Sequence, residues 1–301
     1  MRLVTFRSDD RERVGVIGED ETVVALDDLA PGAPRAMVDV IAGWPDIGPR
    51  LADPALRALA GTPLDRVRLT APLRPRRNVF CVGWNYAEHF AEGRAIHSAA
   101  GHAELPQHPA IFTKQPNAVI GPDEPVLHPG AHSAELDWEV ELAAIVGRGG
   151  RDIPEESALE HVFGYTVAND VSVRDIQRSR HGGQWFKGKS FDTHCPLGPW
   201  IVTADEIPDP QVLAITSRVN GETKQASNTK HMVFSVARIV AELSVGMRLH
   251  PGDVILTGTP EGVGFARKPP EFLRVGDVME MEVEGIGTLR NRVVAYEEGA
   301  A

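Results

Sequence analysis

Between Glu135 and Glu141 an acid occupies every second position: Glu135, Asp137, Glu139 and Glu141, with Leu136, Trp138 and Val140 between them. Alternate residues of an extended strand share a face, so this spacing predicts four carboxylates pointing the same way. The Leu-Ala-Ala-Ile-Val run after Glu141 then carries the strand into a core. Carboxylates stacked on a partly buried strand repel one another. A hard divalent cation relieves that repulsion through oxygen ligands. A further acid, Asp170, closes the β-branched run from Gly164, and Arg174 follows it. On spacing alone, a metal site and an acidic solvated edge strand are equally open.

A second pair capable of chemistry is His89 with Glu92. Asn85 as N-cap, Glu88 as its capping-box partner and Gly93 as the stop predict a short helix around them. His89 and Glu92 are then neighbours on one face. A carboxylate beside an imidazole fixes its tautomer and raises its basicity, which suits a general base. An isolated pair of this type is also what an ordinary surface helix carries. Gly183-x-x-x-x-Gly188-Lys189-Ser190 matches a nucleotide-binding loop literally. That loop needs a buried strand before it and a helix after it. Here a charged helix precedes, bulky residues fill the middle and Pro196 and Pro199 follow, so no nucleotide site is expected.

The elements that would position these groups are short. Strands are expected at 3–6, 13–17, 22–26 and 79–82, and at 109–114, where Lys114 is read as solvated, with an anion contact as the alternative. Helices are expected at 35–41, 54–59, 154–161, 171–180 and 233–243, with Asp170 at the start of the fourth and Arg174 one turn on. Asn220-Gly221 predicts a hairpin turn. The run 252–264 reads as a strand and glycine loop, followed by paired strands. Residues 93–108 are small, polar and glycine-containing, the composition of a lid, a binding loop or a disordered stretch. The basic, proline-rich stretch 71–77 suggests a small N-terminal α/β domain (1–70) ahead of a catalytic domain (71–301).

The 301 residues are 42% hydrophobic and 24% charged, ordinary values for a soluble domain. A net charge of −11 argues against nucleic acid or an anionic membrane as partner. No apolar run approaches the roughly 18–20 residues of a membrane span. Two cysteines, Cys81 and Cys195, make no disulfide framework. They and the strand-like opening lead to the expectation of a cytoplasmic protein.

From 78 to 296 the chain resembles the fumarylacetoacetate hydrolase family. The motifs occur in the family's order: Gly-x-Asn-Tyr-x-x-His-x-x-Glu (83–92), Asp-Trp-Glu-x-Glu (137–141), Asn-Asp-x-x-x-Arg-Asp-x-Gln (169–177), Gly-Lys-Ser-Phe-Asp-Thr (188–193) and Gly-Asp-x-Ile-x-Thr-Gly-Thr-Pro-x-Gly-Val-Gly (252–264). The resemblance implies an α+β, mainly β fold built on a mixed β-roll, and a homodimer. It implies Mg²⁺ or Mn²⁺ on Glu139, Glu141 and Asp170, leaving Glu135 and Asp137 outside the ligand set. His89, Glu92 and Lys189 fall on the catalytic positions. Arg174, Gln177, Thr193 and Thr259 fall on substrate-contacting ones.

The expected substrate is a small 2-oxo acid. The expected reaction is hydrolysis of the C–C bond of an acylpyruvate-like 1,3-diketo acid through a metal-stabilised enolate, with His89 activating water. Isomerisation or decarboxylation of 2-oxo or 2-hydroxy-dienoate diacids, oxaloacetate included, uses the same site. A non-catalytic metal-dependent binding protein is the reading from a different class. The connection from Glu92 to Phe112 is longer than in the compact acylpyruvase-like members and holds His97, His102 and His108.

Overall fold

The apolar run after Glu141 forms the strand Val140–Val146, and every residue in it is buried. A strand covered on both faces needs apolar side chains on both, which is why the run does not alternate. Val140, Leu142, Ala144 and Val146 enter one hydrophobic cluster, whereas Ala143 and Ile145 enter another. A computed structural model of the chain describes residues 1–8, 11–51, 61–93 and 104–296. The helix expected at 54–59 lies outside the described residues, as do 94–103 of the expected loop, His97 and His102 included.

Val140–Val146 pairs antiparallel with Val162–Asn169 on one side and Val254–Leu256 on the other. Val254–Leu256 lies parallel to Val79–Gly83, which pairs with Ala110–Lys114. In the other direction Val162–Asn169 is followed by Cys195–Thr203 and then by the N-terminal strand Arg2–Ser8. Arg11–Ile17 and Thr22–Ala25 extend the sheet further. A second sheet orders Glu222–Asn228, Ala214–Val219, Val278–Val283, Gly287–Val294 and Val126–Leu127. Its Ile215, Met281 and Leu289 share the first cluster with Leu142 and Tyr165. The second cluster joins Leu3, Ile41 and Ile47 to Ala143, Cys81 and Cys195. The fold is α+β and mainly β, and among the described residues no helix is long and apolar enough to cross a membrane. Both cysteines are free and buried.

Asn220 and Gly221 have positive φ (52° and 79°), so the hairpin turns as the dipeptide predicts. Two helices differ from expectation. Glu155–His161 is a 3₁₀ helix. The helix expected from 171 begins only at Arg174, because Ser172–Val173 first pairs with Leu136–Asp137. The N–H groups of Asp170 and Arg174 donate to the Glu139 and Glu135 carbonyls, both at 2.9 Å. The backbone is thus committed to the sheet until Arg174, and β-branched Val171 and Val173 favour that.

The short helix Ala87–Glu92 forms where expected, but Asn85 does not cap it. Asn85 is fully buried. Its Nδ2 donates to the Phe234 and Thr257 carbonyls (3.0 and 2.7 Å), and its Oδ1 accepts from the Phe234 N–H (2.7 Å). Three buried backbone groups depend on it, so the competing tertiary bonds outweigh the local cap. Asn85→Ala is expected to lose about 2–4 kcal/mol of stability in urea unfolding. Asn85→Asp is expected not to rescue, since a carboxylate would face two carbonyls. A loss below about 0.5 kcal/mol for Asn85→Ala, the scale of an ordinary surface change, would refute the staple.

Candidate active site

Glu139, Glu141 and Asp170 are buried, and one oxygen of each lies within 4.8 Å of the others. Strand register builds this cluster. Val140 pairs with Asn169 and Glu141 with Ala168, so the ends of two neighbouring strands bring Glu139 beside Asp170. The Glu139 N–H donates to Asn169 Oδ1 at 3.0 Å. Glu141 accepts from the Gly258 N–H at 2.6 Å. Gly258 has φ +101°, and a Cβ there would lie 2.6 Å from that of Asn85, so glycine alone lets this N–H reach the carboxylate.

Charge compensation within the cluster is uneven. The Lys189 ammonium donates to Glu139 and to Asp170 Oδ2 (2.8 Å). Lys114 donates to Asp170 Oδ1 at 2.6 Å and to the Val171 carbonyl at 3.0 Å. Arg174 Nη1 lies 2.7 Å from Glu139 Oε1. Burial opposes ionisation of Glu139, but the charges of Arg174 and Lys189 outweigh it and hold the carboxyl well below the usual range. Glu141 goes the other way: burial, then the charges of Asp170 and Glu139, push it well up. The uncompensated charge is therefore that of Glu141. Three carboxylates with this deficit form an all-oxygen donor set that fits a hard divalent cation.

Lys114, expected to be solvated, is fully buried. It shares a strand face with Phe112 by alternation, and that periodicity was the available signal. The four acids do not share one face either, because the strand is interrupted at Trp138 and Glu139. Glu135 pairs with Arg178 at the surface. Asp137 accepts from Arg174 Nε (2.8 Å) and from the N–H groups of Gly264 (2.7 Å) and Phe265 (3.0 Å). It fastens the glycine loop to the acidic strand.

His89 Nδ1 lies 2.7 Å from Glu92 Oε1, and Glu92 Oε2 accepts from the Gly262 N–H at 2.9 Å. With Nδ1–H donated to Glu92, Nε2 is the basic nitrogen. A cavity of about 610 Å³ is lined by His89, Glu139, Glu141, Arg174 and Lys189 together. Gln177 and Thr259 also line it. Gln177 accepts from Arg174 Nη1 at 3.2 Å, and Thr259 donates to the Val140 carbonyl at 2.9 Å. Thr193 does not line the cavity. Its Oγ1 accepts from the Leu127 N–H at 2.8 Å, holding a turn outside it. Trp84, Phe112, Trp185 and Phe265 supply aromatic walls. Lys189 ends the short helix Phe186–Lys189, and the element directly before that helix is the 3₁₀ turn His181–Gly183, not a strand. A Cβ on Gly188 would lie 2.5 Å from the Gln177 nitrogen, so Gly188-Lys189 serves helix packing and the carboxylates instead of a phosphate.

Residues 78–294 match the family model described as fumarylacetoacetate (FAA) hydrolase C-terminal. The chain belongs to the fumarylacetoacetate hydrolase family. A mitochondrial oxaloacetate tautomerase of Xenopus laevis is 42% identical over 301 residues, covering 98% of this chain and 90% of that protein. The structure of a fumarylacetoacetate hydrolase from psychrophilic Exiguobacterium antarcticum superposes with TM-score 0.80 at 40% identity, covering 98% of this chain and 100% of that one. A maleylpyruvate hydrolase from Sphingobium sp. SYK-6, in complex with manganese(II) and pyruvate, gives TM-score 0.80 at 31% identity over 99% of this chain and 100% of that one.

For this family member the raised Glu141 has a measurable consequence. In EDTA, stability should fall as pH rises beyond about 4.3, where the unfolded chain releases a proton that folded Glu141 retains. Glu141→Gln removes that loss and should flatten the decline above the ordinary carboxylate range. Saturating Mg²⁺ or Mn²⁺ should raise the wild-type Tm and shift the variant much less. A wild-type pH slope in Glu141→Gln would disprove the assignment.

Proposed function

We propose that this protein is a divalent-metal-dependent tautomerase of a small 2-oxo dicarboxylic acid such as oxaloacetate. The observation that carries it is His89, 2.7 Å from Glu92, lining the same cavity as Glu139 and Glu141 of the carboxylate cluster. Similarity to the Xenopus laevis oxaloacetate tautomerase over 98% of the chain supports it.

Mg²⁺ or Mn²⁺ held by Glu139, Glu141 and Asp170 would supply Lewis acidity at the 2-oxo group. The chain's own residues move the proton. His89 Nε2 takes it from C3, and the C–H electron pair becomes the C2–C3 double bond. The carbonyl pair moves onto oxygen, where the Lys189 ammonium offsets the developing charge. The His89 imidazolium then gives its proton to that oxygen, which yields the enol and regenerates the base, and the reverse sequence restores the ketone. Glu92 holds the imidazole in one tautomer and stabilises the imidazolium form. No carbon–carbon bond breaks, so one positioned base suffices. A second reading, hydrolysis of an acylpyruvate-like diketo acid, has the same base take its proton from water. The likeness to maleylpyruvate hydrolase favours that alternative.

The test follows the ultraviolet decay of enol-oxaloacetate to its keto form, with Mg²⁺ or Mn²⁺ and with EDTA. Enzyme should accelerate the decay, and EDTA should abolish the effect. His89→Ala should lower kcat roughly 10²–10⁴-fold while keeping the metal-induced rise in Tm. Release of pyruvate and acetate from acetylpyruvate, without acceleration of the enol decay, would favour hydrolysis. Acceleration of neither reaction would dispose of both readings.

A further inference from the structure

Among the described residues, three permanently cationic side chains line the cavity: Arg174, Arg178 and Lys189. Two of them are committed to the site's own acids. Lys189 bridges Glu139 and Asp170, and Arg174 binds Asp137 and Glu139. Both are buried with their partners, and breaking such pairs strands a charge away from water. Arg178 differs. Its side chain is 32% exposed, and its carboxylate partner Glu135 is 31% exposed. An ion pair open to solvent contributes little, so Arg178 can exchange Glu135 for another carboxylate at small cost.

The surroundings of Arg178 suit that exchange. Arg174 and Arg178 stand four residues apart on the helix Arg174–Ser179 and so share a face. Both guanidinium groups lie over the Phe265 ring, 4.6 and 5.7 Å from its centroid. Asp137 pins that platform through the Phe265 N–H (3.0 Å). Arg174 Nη2 is buried and, among the described residues, has no hydrogen-bond partner. Two guanidinium groups on one aromatic plate, with a strong donor still unused, form a receptor for a planar carboxylate. The His89 ring is 6.5 Å from the same Phe265 ring, which places the receptor beside the base.

We propose that Arg178 binds the second carboxylate of a dicarboxylic 2-oxo acid and thereby selects diacids over monoacids. Glu135 is its internal competitor, displaced when the diacid enters. This rests on the functional reading above only in assigning the 2-oxo end of the substrate to Glu139, Glu141 and Asp170.

The test measures binding without turnover. Malate and lactate are 2-hydroxy acids that differ in the distal carboxylate, and calorimetry on the Mg²⁺-saturated full chain compares them. Wild type should bind malate at least about tenfold more tightly than lactate, a difference of roughly 1.4 kcal/mol. Arg178→Ala should erase most of that preference and leave lactate unchanged. Arg178→Lys should retain part of it, since the charge remains but the forked donors are lost. Glu135→Gln should tighten malate alone. Equal weakening of both ligands by Arg178→Ala, an unchanged malate affinity, or a wild type without preference for malate (one that binds neither included) would overturn the proposal. If the preference follows Arg178 while enol-oxaloacetate is not processed, the tautomerase reading falls and the receptor stands.

Discussion

Three carboxylates buried within 4.8 Å of one another set the terms for the rest of the molecule. Unscreened by water, such groups cannot all ionise without compensating cations. Lys189, Lys114 and Arg174 converge on Glu139 and Asp170 from three separate elements. Among the described residues, Glu141 accepts a hydrogen bond only from the backbone N–H of Gly258, and its charge is the one a divalent cation would offset. The close packing at Gly188 and the left-handed turn at Gly258 follow from the need to bring donors to these oxygens.

The glycine loop after the strand Val254–Leu256 is the common frame. Gly258 meets Glu141, Gly262 meets Glu92, and Gly264 and Phe265 meet Asp137. One short segment therefore fixes the carboxylate cluster, the histidine pair and the aromatic plate relative to one another. Asn85 ties the entry to the His89 helix to Thr257, at the start of the same loop. Backbone donors from this loop and the buried Asn85 amide, more than the helix's own capping, hold His89 toward the cavity. The N-terminal strands stand behind this arrangement, continuing the sheet and closing the second hydrophobic cluster against Ala143 and Ile145.

The sequence by itself determined much of this. β-rich runs between turn signals located strands, Asn220-Gly221 the hairpin, and the apolar run after Glu141 a strand entering the core. Motif order identified the family and singled out Glu139, Glu141 and Asp170, which the fold does bring together. These features are local or nearly so, and local chemistry encodes them. Only tertiary structure decided the partners. Asp137 differs from Glu139 in what lies across from it, a glycine loop 127 residues away in one case and a lysine in the other. Lys114 looks like any strand-end lysine until the fold sets Asp170 against it. Asn85 gives up a cap for three backbone groups contributed by distant segments. A buried polar group takes whichever partner desolvation leaves within reach, and that set exists only once the strands have paired.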